Sequence, residues 1–438
     1  MKVSQLYVYP IKSLRPTTLE EGILTNLGLQ YDRHFMLLKV IPSEDGTTFK
    51  NMHVPHFPEM ALFHTDIEYP APNRDGKVIV TYHPPDAESA RLEIPLEPST
   101  ETLTPLKITM HQSPTTGYDM GADYNAWFSK CFGYPVVLAY LGPHTREVLG
   151  TLAPAKAKRS SLRDLIRGRW ELSILVLLAV VVTVFNGYRL LRAEVVGCLL
   201  IASALAFGGY NYFRAEDRIT FADCAPYLVI SETSVNDVSA RLEGEEMDRT
   251  KFRPNIVVSG AGEAFEEDYW CALKIGQARL LLTGNCVRCQ SLNVDYETGK
   301  MGTGEAGTVL KKLMKDRRVD LGAKFSPVFG RYSFLERGVG TCLKIGDEVE
   351  VAERGDTRSI LGLSLFEYHR LGNVLMRFRL ARFDELRLPR SSFIRHLGIN
   401  FELYTDLHRK IDVMGDHSVS KYSWDPWSGR IIVGVMQD

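Results

Sequence analysis

Apolar and polar positions alternate along much of the first 115 residues. Val3, Leu6 and Val8 form a short apolar run that Pro10 ends, and Ile23 to Leu29 and Phe35 to Val40 continue the pattern. A period near two is what a half-buried strand needs, because successive side chains point to opposite faces. Further strand-like runs follow at Lys77–Tyr82 and Leu103–Met110, with prolines between them. This spacing predicts a β-rich lobe, a barrel or a sandwich. Residues 119–133, DMGADYNAWFSKCFG, change the rhythm. Ala126, Trp127, Phe128 and Phe132 gather toward one side of a helix, and Gly133 stands where a C-cap belongs.

Between residues 170 and 213 the pattern gives way to two apolar stretches, Leu172–Tyr188 and Val195–Phe213, parted by Arg189, Arg192 and Glu194. Each holds roughly 17–19 residues, which at ~1.5 Å per residue nearly crosses a ~30 Å hydrocarbon core. The alternative is a helical hairpin buried in a soluble core. Membrane insertion is the expectation, because the runs are long and nearly free of charge. Trp170, Tyr188, Tyr210 and Tyr212 lie near the ends, where interfacial aromatics belong. Lys156, Lys158, Arg159, Arg163, Arg167 and Arg169 precede the first run, and Arg214 and Arg218 follow the second. A hairpin with both flanks in the cytosol fits the positive-inside rule. Arg189 and Arg192 in the turn count against it, so a single longer span or a re-entrant hairpin stays open. The opening MKVSQLYVYPIKSL has no apolar run with a small-residue cleavage site and little arginine, so attachment is expected from within the chain.

Strand-like spacing returns at Tyr227–Ile230, Ile256–Ser259, Ala272–Ile275, Ala278–Leu282 and Glu348–Val351. Ser231 is placed to cap a helix through Val235–Leu242, and residues 307–315 predict another short helix. The expected fold is β-dominated α+β: an N-terminal β-barrel-like lobe over 1–150, a basic linker and transmembrane helical hairpin over 151–218, and a second β-barrel domain over 219–356. Residues 357–438 read as an extension in which arginines crowd between Arg370 and Arg395 and no motif carries a mechanism.

Composition changes this picture little, with one exclusion. Formal net charge is −1, so no chain-wide field attracts nucleic acid. Seven cysteines, an odd number thinly spread, argue against a disulfide framework and for a reducing compartment.

Candidate chemistry concentrates in Gly284-Asn285-Cys286-Val287-Arg288-Cys289-Gln290, after the Ala278–Leu282 run. Three readings compete. Structural zinc needs four ligands, and the chain has no second cysteine pair and no histidine close by in sequence. A redox dithiol normally opens a helix after a strand, which the polar run after Cys289 does not resemble. A single thiolate ligand for a soft metal centre, with Arg288 beside it to stabilise negative charge, is the third. Lys12-Ser13 after a proline turn, Asp32-Arg33 in a strand-like segment and Lys251-Phe252-Arg253-Pro254-Asn255 offer cations and donors for a bulky anionic group.

Four segments resemble the MOSC family, especially its mitochondrial amidoxime-reducing component branch: LYVYPIKSL (6–14), GLQYDRHFML (28–37), FRPNIVVSG (252–260) and CVRCQSLNVDYETG (286–299). LVISETSVNDVSARL (228–242) and FGRYSFLERGVGTCLKIGDEVEV (329–351) also look like that branch. The resemblance implies a molybdenum cofactor (Mo-molybdopterin) with Cys289 as the metal ligand and catalytic residue, and Cys286 as a bystander. It implies cofactor contacts from Lys12, Ser13, Arg33, Arg253, Asn255 and Arg288, and hydroxyl contacts from Ser231 and Thr233. It implies reduction of small N-hydroxylated substrates with electrons from a cytochrome b5 and its NADH-dependent reductase, at the outer mitochondrial membrane with the domains facing the cytosol. A cofactor carrier or sulfur-transfer protein is the alternative. The family branch anchors through an N-terminal helix, whereas here the apolar segment 170–213 falls between the two lobes.

Overall fold

The Lys2–Val8 strand, first in the chain, lies inside an eight-stranded sheet whose other members, Thr17–Leu19 apart, come from residues 227–354. The order across that sheet is Thr17–Leu19, Lys2–Val8, Ile256–Ser259, Tyr227–Ser231, Val328–Arg337, Ala278–Val287, Trp270–Ile275 and Val349–Arg354. The computed structural model describes residues 1–43, 46–149, 152–154, 217–360, 422–425 and 430–433. Two compact units divide the chain, 1–363 and 364–438. In the second, the described residues are the antiparallel strands Tyr422–Asp425 and Arg430–Val433.

The first strand pairs antiparallel with Ile256–Ser259, Lys2 opposite Ser259 and Leu6 opposite Ile256. Tyr227–Ser231 then runs parallel to Ile256–Ser259, a connection that includes the Glu232–Ala240 helix, as a parallel pair demands a long crossover. An expectation of two lobes divided in sequence order therefore misses the first strand, which crosses into the second lobe. Its apolar side chains Val3, Leu6 and Val8 are buried in the main core alongside Val229, Ile256 and Val258.

The rest of the N-terminal part is β-rich, as expected. A five-stranded sheet runs Thr104–Met110, Ser113–Asp119, Val136–Tyr140, Phe35–Ser43, Gly46–Asn51, and a meander joins Phe63–Glu68, Lys77–Tyr82 and Ala90–Pro95. The Ala122–Phe132 helix ends on Gly133 in the left-handed region, φ 74°, with its N–H on the Ser129 carbonyl. Phe128 and Phe132, four apart, are buried and face Phe63 at centroid distances of 5.9 and 4.7 Å. Each such aromatic contributes roughly 2–3 kcal/mol by leaving water. Ala126, expected on the same face, is exposed, since it sits about 200° round the helix from Phe128.

Ile23 to Leu29 is a hairpin rather than one strand. Glu21–Thr25 turns through Asn26 and Leu27 into Gly28–Leu29, and the Thr25 hydroxyl closes the turn on the Gly28 carbonyl at 2.8 Å. Gly28 has φ 121°, and a Cβ there would stand 2.9 Å from the Pro226 carbonyl, so glycine is required on both counts.

Ala278–Val287 runs five residues further than the apolar pattern suggests, because Gly284, Asn285 and Cys286 are buried too. Cys286 therefore lies on a strand. Leu172–Tyr188 and Val195–Phe213, expected to cross a membrane, lie outside the described residues, as do the arginines between Arg370 and Arg395. Among the described residues no helix is long and apolar enough to cross a membrane.

Candidate cofactor site

The two cysteines end in opposite environments. Cys286, on the strand, is buried, and burial pushes its thiol up from the ordinary value. Cys289 has left the strand. It is exposed, extended at φ −131°, and sits just before the short Gln290–Asn293 turn of 3-10 helix, its sulfur 3.4 Å from the Ser291 hydroxyl. An accessible sulfur can become a thiolate ligand, and a buried one beside apolar neighbours stays inert.

Arg288, between them in sequence, spends its guanidinium on backbone carbonyls. Its Nε and Nη2 donate to the Phe329 carbonyl at 3.0 and 2.6 Å, and Nη1 donates to the Phe252 carbonyl at 2.7 Å. Phe252 and Phe329 stack beneath it, 3.7 Å apart. The expected charge-stabilising arginine is a clamp that fixes the cysteine loop against the Arg249–Phe252 turn and the Val328–Arg337 strand.

That clamp brings the cysteine loop beside Arg253. Arg253 is left-handed, φ 55°, at the end of the Arg249–Phe252 turn. Its Nη1 donates to the Leu14 carbonyl at 2.9 Å, while Nη2 is buried and without a partner. Its guanidinium lies 4.4 Å from the Tyr9 ring centre, and that of Arg33 lies 4.8 Å from the same ring. The Tyr9 hydroxyl is likewise buried without a partner.

Arg33 stands in a turn, φ 55°, not in a strand. Its N–H donates to the Tyr9 carbonyl at 2.7 Å, and its guanidinium pairs with Asp32. Asn255 holds the arrangement. Its Oδ1 accepts from Leu228 N–H at 3.2 Å and from Arg33 at 3.3 Å, and its Nδ2 donates to the Tyr7 carbonyl at 3.2 Å and to Asp32 at 3.1 Å. An amide has two donors and two acceptor lone pairs, so this one is fully used. Asn255 supports Arg33 and has nothing left for a ligand.

Lys12 is buried and pairs with Asp223, and it also donates to the Phe221 carbonyl at 3.1 Å. The Phe221 N–H in turn donates to the Arg33 carbonyl at 3.0 Å, so Lys12 and Arg33 meet at one residue. Burial pulls the Lys12 ammonium below its ordinary value against the pull of Asp223. Burial would raise the Asp223 carboxyl, but the Lys12 ammonium and His111, 3.4 Å away, hold it well below the usual range. Ser13, beside Lys12, is buried and left-handed at φ 69°.

Ser231 and Thr233 do not join this group. Ser231 ends the Tyr227–Ser231 strand, three residues beyond Leu228, the partner of Asn255. Its hydroxyl makes no capping bond to the helix it precedes, contrary to expectation, and is buried without a partner. The Thr233 hydroxyl donates to the Ala261 carbonyl at 3.0 Å. The sequence pattern did not single out Tyr9, Asp223, Arg15 or Tyr296. Arg15 lies 4.4 Å over the Tyr296 ring and 3.2 Å from Asp248, and its Nε is buried without a partner. Tyr9 and Tyr296 lie within the segments 6–14 and 286–299 that carry the family resemblance. Asp223 carried no local signal.

The donor set fits a bulky anionic group with one soft metal. Unpartnered buried donors on Arg253, Arg15 and Tyr9 ask for an acceptor, and a desolvated guanidinium meets phosphate oxygens more strongly than one in water. Cys289, on the loop that Arg288 ties to the Phe252 carbonyl, supplies an accessible thiol. Among the described residues no group of three or more His, Cys, Asp or Glu could hold a metal alone.

Fold and site together define a two-lobed β protein in which Arg33 and Arg253, one from each lobe, meet at the Tyr9 ring. The MOSC N-terminal beta barrel domain family matches residues 1–135, the MOSC domain family matches residues 216–350, and the chain belongs to this MOSC family. It is 28% identical over 355 residues to mitochondrial amidoxime-reducing component 1 of Mus musculus, covering 79% of this chain and 81% of that protein. It is 40% identical over 143 residues to the Homo sapiens protein of the same name, 32% of this chain and 40% of that one. Over 93 residues it is 42% identical to the molybdenum cofactor sulfurase of Arabidopsis thaliana, 19% of this chain and 11% of that protein. Of these names, that of the Arabidopsis thaliana protein mentions the molybdenum cofactor.

Proposed function

We propose that this protein is a molybdenum-cofactor-dependent oxidoreductase that reduces small N-hydroxylated compounds of the amidoxime type. The observation that carries the reading is the accessible Cys289 following Arg288, which donates to the Phe252 carbonyl, together with the adjoining Arg253, whose guanidinium keeps one buried donor without a partner. The relatives named amidoxime-reducing component support the substrate class. Arg253, Arg33, Lys12 and Ser13 hold the pterin and its phosphate. Asn255 and Asp32 orient Arg33, Arg288 fixes the loop, and Cys289 ligates the metal. When bound, the cofactor supplies two-electron chemistry at a metal tuned by a thiolate. In the net reaction an N–O bond breaks, an N–H bond forms and water leaves, consuming two electrons and two protons. The electrons come from a cytochrome b5 and its NADH-dependent reductase. The apolar segment 170–213 anchors the protein in the outer mitochondrial membrane.

A second reading, a cofactor carrier or sulfur-transfer protein with Cys289 as a persulfide site, draws on the sulfurase match. The assay that separates them uses protein from cofactor-competent cells. Molybdenum, pterin and the reduction of a benzamidoxime probe with cytochrome b5 and its reductase are measured together. Metal with turnover supports the reductase, metal without turnover supports the carrier, and no metal overturns both.

A further inference from the structure

Asn285, the residue before Cys286, sits between two irregularities in the pairing of Ala278–Val287 with Val328–Arg337, one between Leu282 and Gly284 and one between Asn285 and Val287. Bulged residues lose regular ladder bonds and bend the strand, so their direction depends on what else holds them. Here the side chain is what is held. Asn285 is fully buried, and its Nδ2 donates to Asp320 at 2.8 Å and to the Ser359 carbonyl at 2.8 Å. Its Oδ1 accepts from Arg331, which also donates to the Ser359 hydroxyl, and from the Ser359 hydroxyl itself at 3.5 Å, the two side-chain bonds that Ser359→Ala removes.

Ser359 lies beyond the family match, which ends at residue 350, and beyond the expected boundary at 356. Its neighbours seat the segment against the Glu266–Tyr269 turn. Gly355 N–H donates to the Tyr269 carbonyl at 2.8 Å. Arg358 donates to Asp268 at 2.8 Å, a buried carboxylate that Arg317 also grips through two bonds of 2.8 and 2.9 Å. Arg331 is 1% exposed, and its remaining Nη2 bonds go to the Leu282 and Trp270 carbonyls. Ser359 is thus the point where the end of this unit touches the bulged residue from which the cysteine loop departs.

We propose that residues 355–360 form a strap that sets the pose of the cysteine loop, with Ser359 as a positioning residue acting through Asn285. The inference takes from the proposed function only that Cys289 is the working thiol. Losing one buried hydrogen bond is worth about 1 kcal/mol, close to a fivefold change in a local opening equilibrium.

The test compares amide hydrogen exchange in the full chain carrying Ser359→Ala, Ser359→Thr or Arg358→Ala, with alkylation of Cys289 measured against Cys342, the other exposed thiol among the described residues. Ser359→Ala is expected to speed exchange of the 284–289 amides about fivefold, with the Phe63–Glu68 meander unchanged, and to raise Cys289 alkylation relative to Cys342. Ser359→Thr restores both, and Arg358→Ala has the smaller effect on 284–289. Wild-type exchange at 284–289 in Ser359→Ala, or a uniform rise over the whole unit, overturns the strap. Neither readout needs molybdenum or turnover, so its failure is distinct from failure of the reductase reading.

Discussion

Asn255 Nδ2 donates to the Asp32 carboxylate at 3.1 Å, joining residues 223 positions apart and fixing the carboxylate that grips Arg33. Replacing Asn255 by alanine strips four hydrogen bonds from a fully buried site and leaves Asp32 short of a donor. The expected cost is about 3 kcal/mol in chemical denaturation, with loss of pterin from the purified protein. Loss of pterin with unchanged stability would instead make Asn255 a direct cofactor contact.

Arg288 is predicted to matter for stability as much as for the cofactor. Arg288→Ala leaves the Phe252 and Phe329 carbonyls without their donor and removes a cation from above two stacked rings. Its stability should fall by about 3 kcal/mol in protein carrying no cofactor. A variant as stable as wild type, but empty of cofactor, would contradict the clamp.

Arg253 has the reverse expectation. Arg253→Lys keeps a cation but loses the fork that reaches the Leu14 carbonyl with one nitrogen and leaves the other for a ligand. Cofactor release should quicken by about tenfold, with a smaller change in unfolding. Retention of pterin at the wild-type rate would remove Arg253 from the site.

Away from the site, Glu267 is fully buried, accepts from the Ser234 hydroxyl at 2.7 Å, and leaves its other oxygen unpartnered. Burial pushes its carboxyl up to about 7 from 4.5. Between those values the native state keeps a proton that the unfolded chain has released, so stability is full below pH 4.5 and falls as pH rises through 7. Glu267→Gln stays neutral throughout. It should therefore be more stable than wild type at pH 8, by on the order of 2 kcal/mol, and nearly equal at pH 5. Equal midpoints at pH 8 would show that Glu267 is not held protonated.

Much of the site was legible because its residues travel in short motifs. Lys12-Ser13, Asp32-Arg33 and Arg253-Pro254-Asn255 each keep their members adjacent in sequence, and apolar alternation placed strands near each of them. What those side chains hold was not legible. Arg288 looks like a partner for metal-site charge until the Phe252 and Phe329 carbonyls, 36 and 41 positions away, are seen to use it. Asn255 looks like a ligand contact until its four partners are counted. Asp223 has no motif and gains meaning only where Lys12 meets it. The membership of Lys2–Val8 in the second lobe was hidden for a related reason: alternation tells which face of a strand is buried, not which strand lies beside it.

The central claim is a bond between the Cys289 sulfur and molybdenum. X-ray absorption at the molybdenum edge of the purified protein tests it most directly, with Cys289→Ser and Cys286→Ser alongside. Wild type and Cys286→Ser should give the same sulfur coordination, and Cys289→Ser one sulfur fewer. A spectrum unchanged by Cys289→Ser, or protein from cofactor-competent cells with no molybdenum above background, would contradict the account.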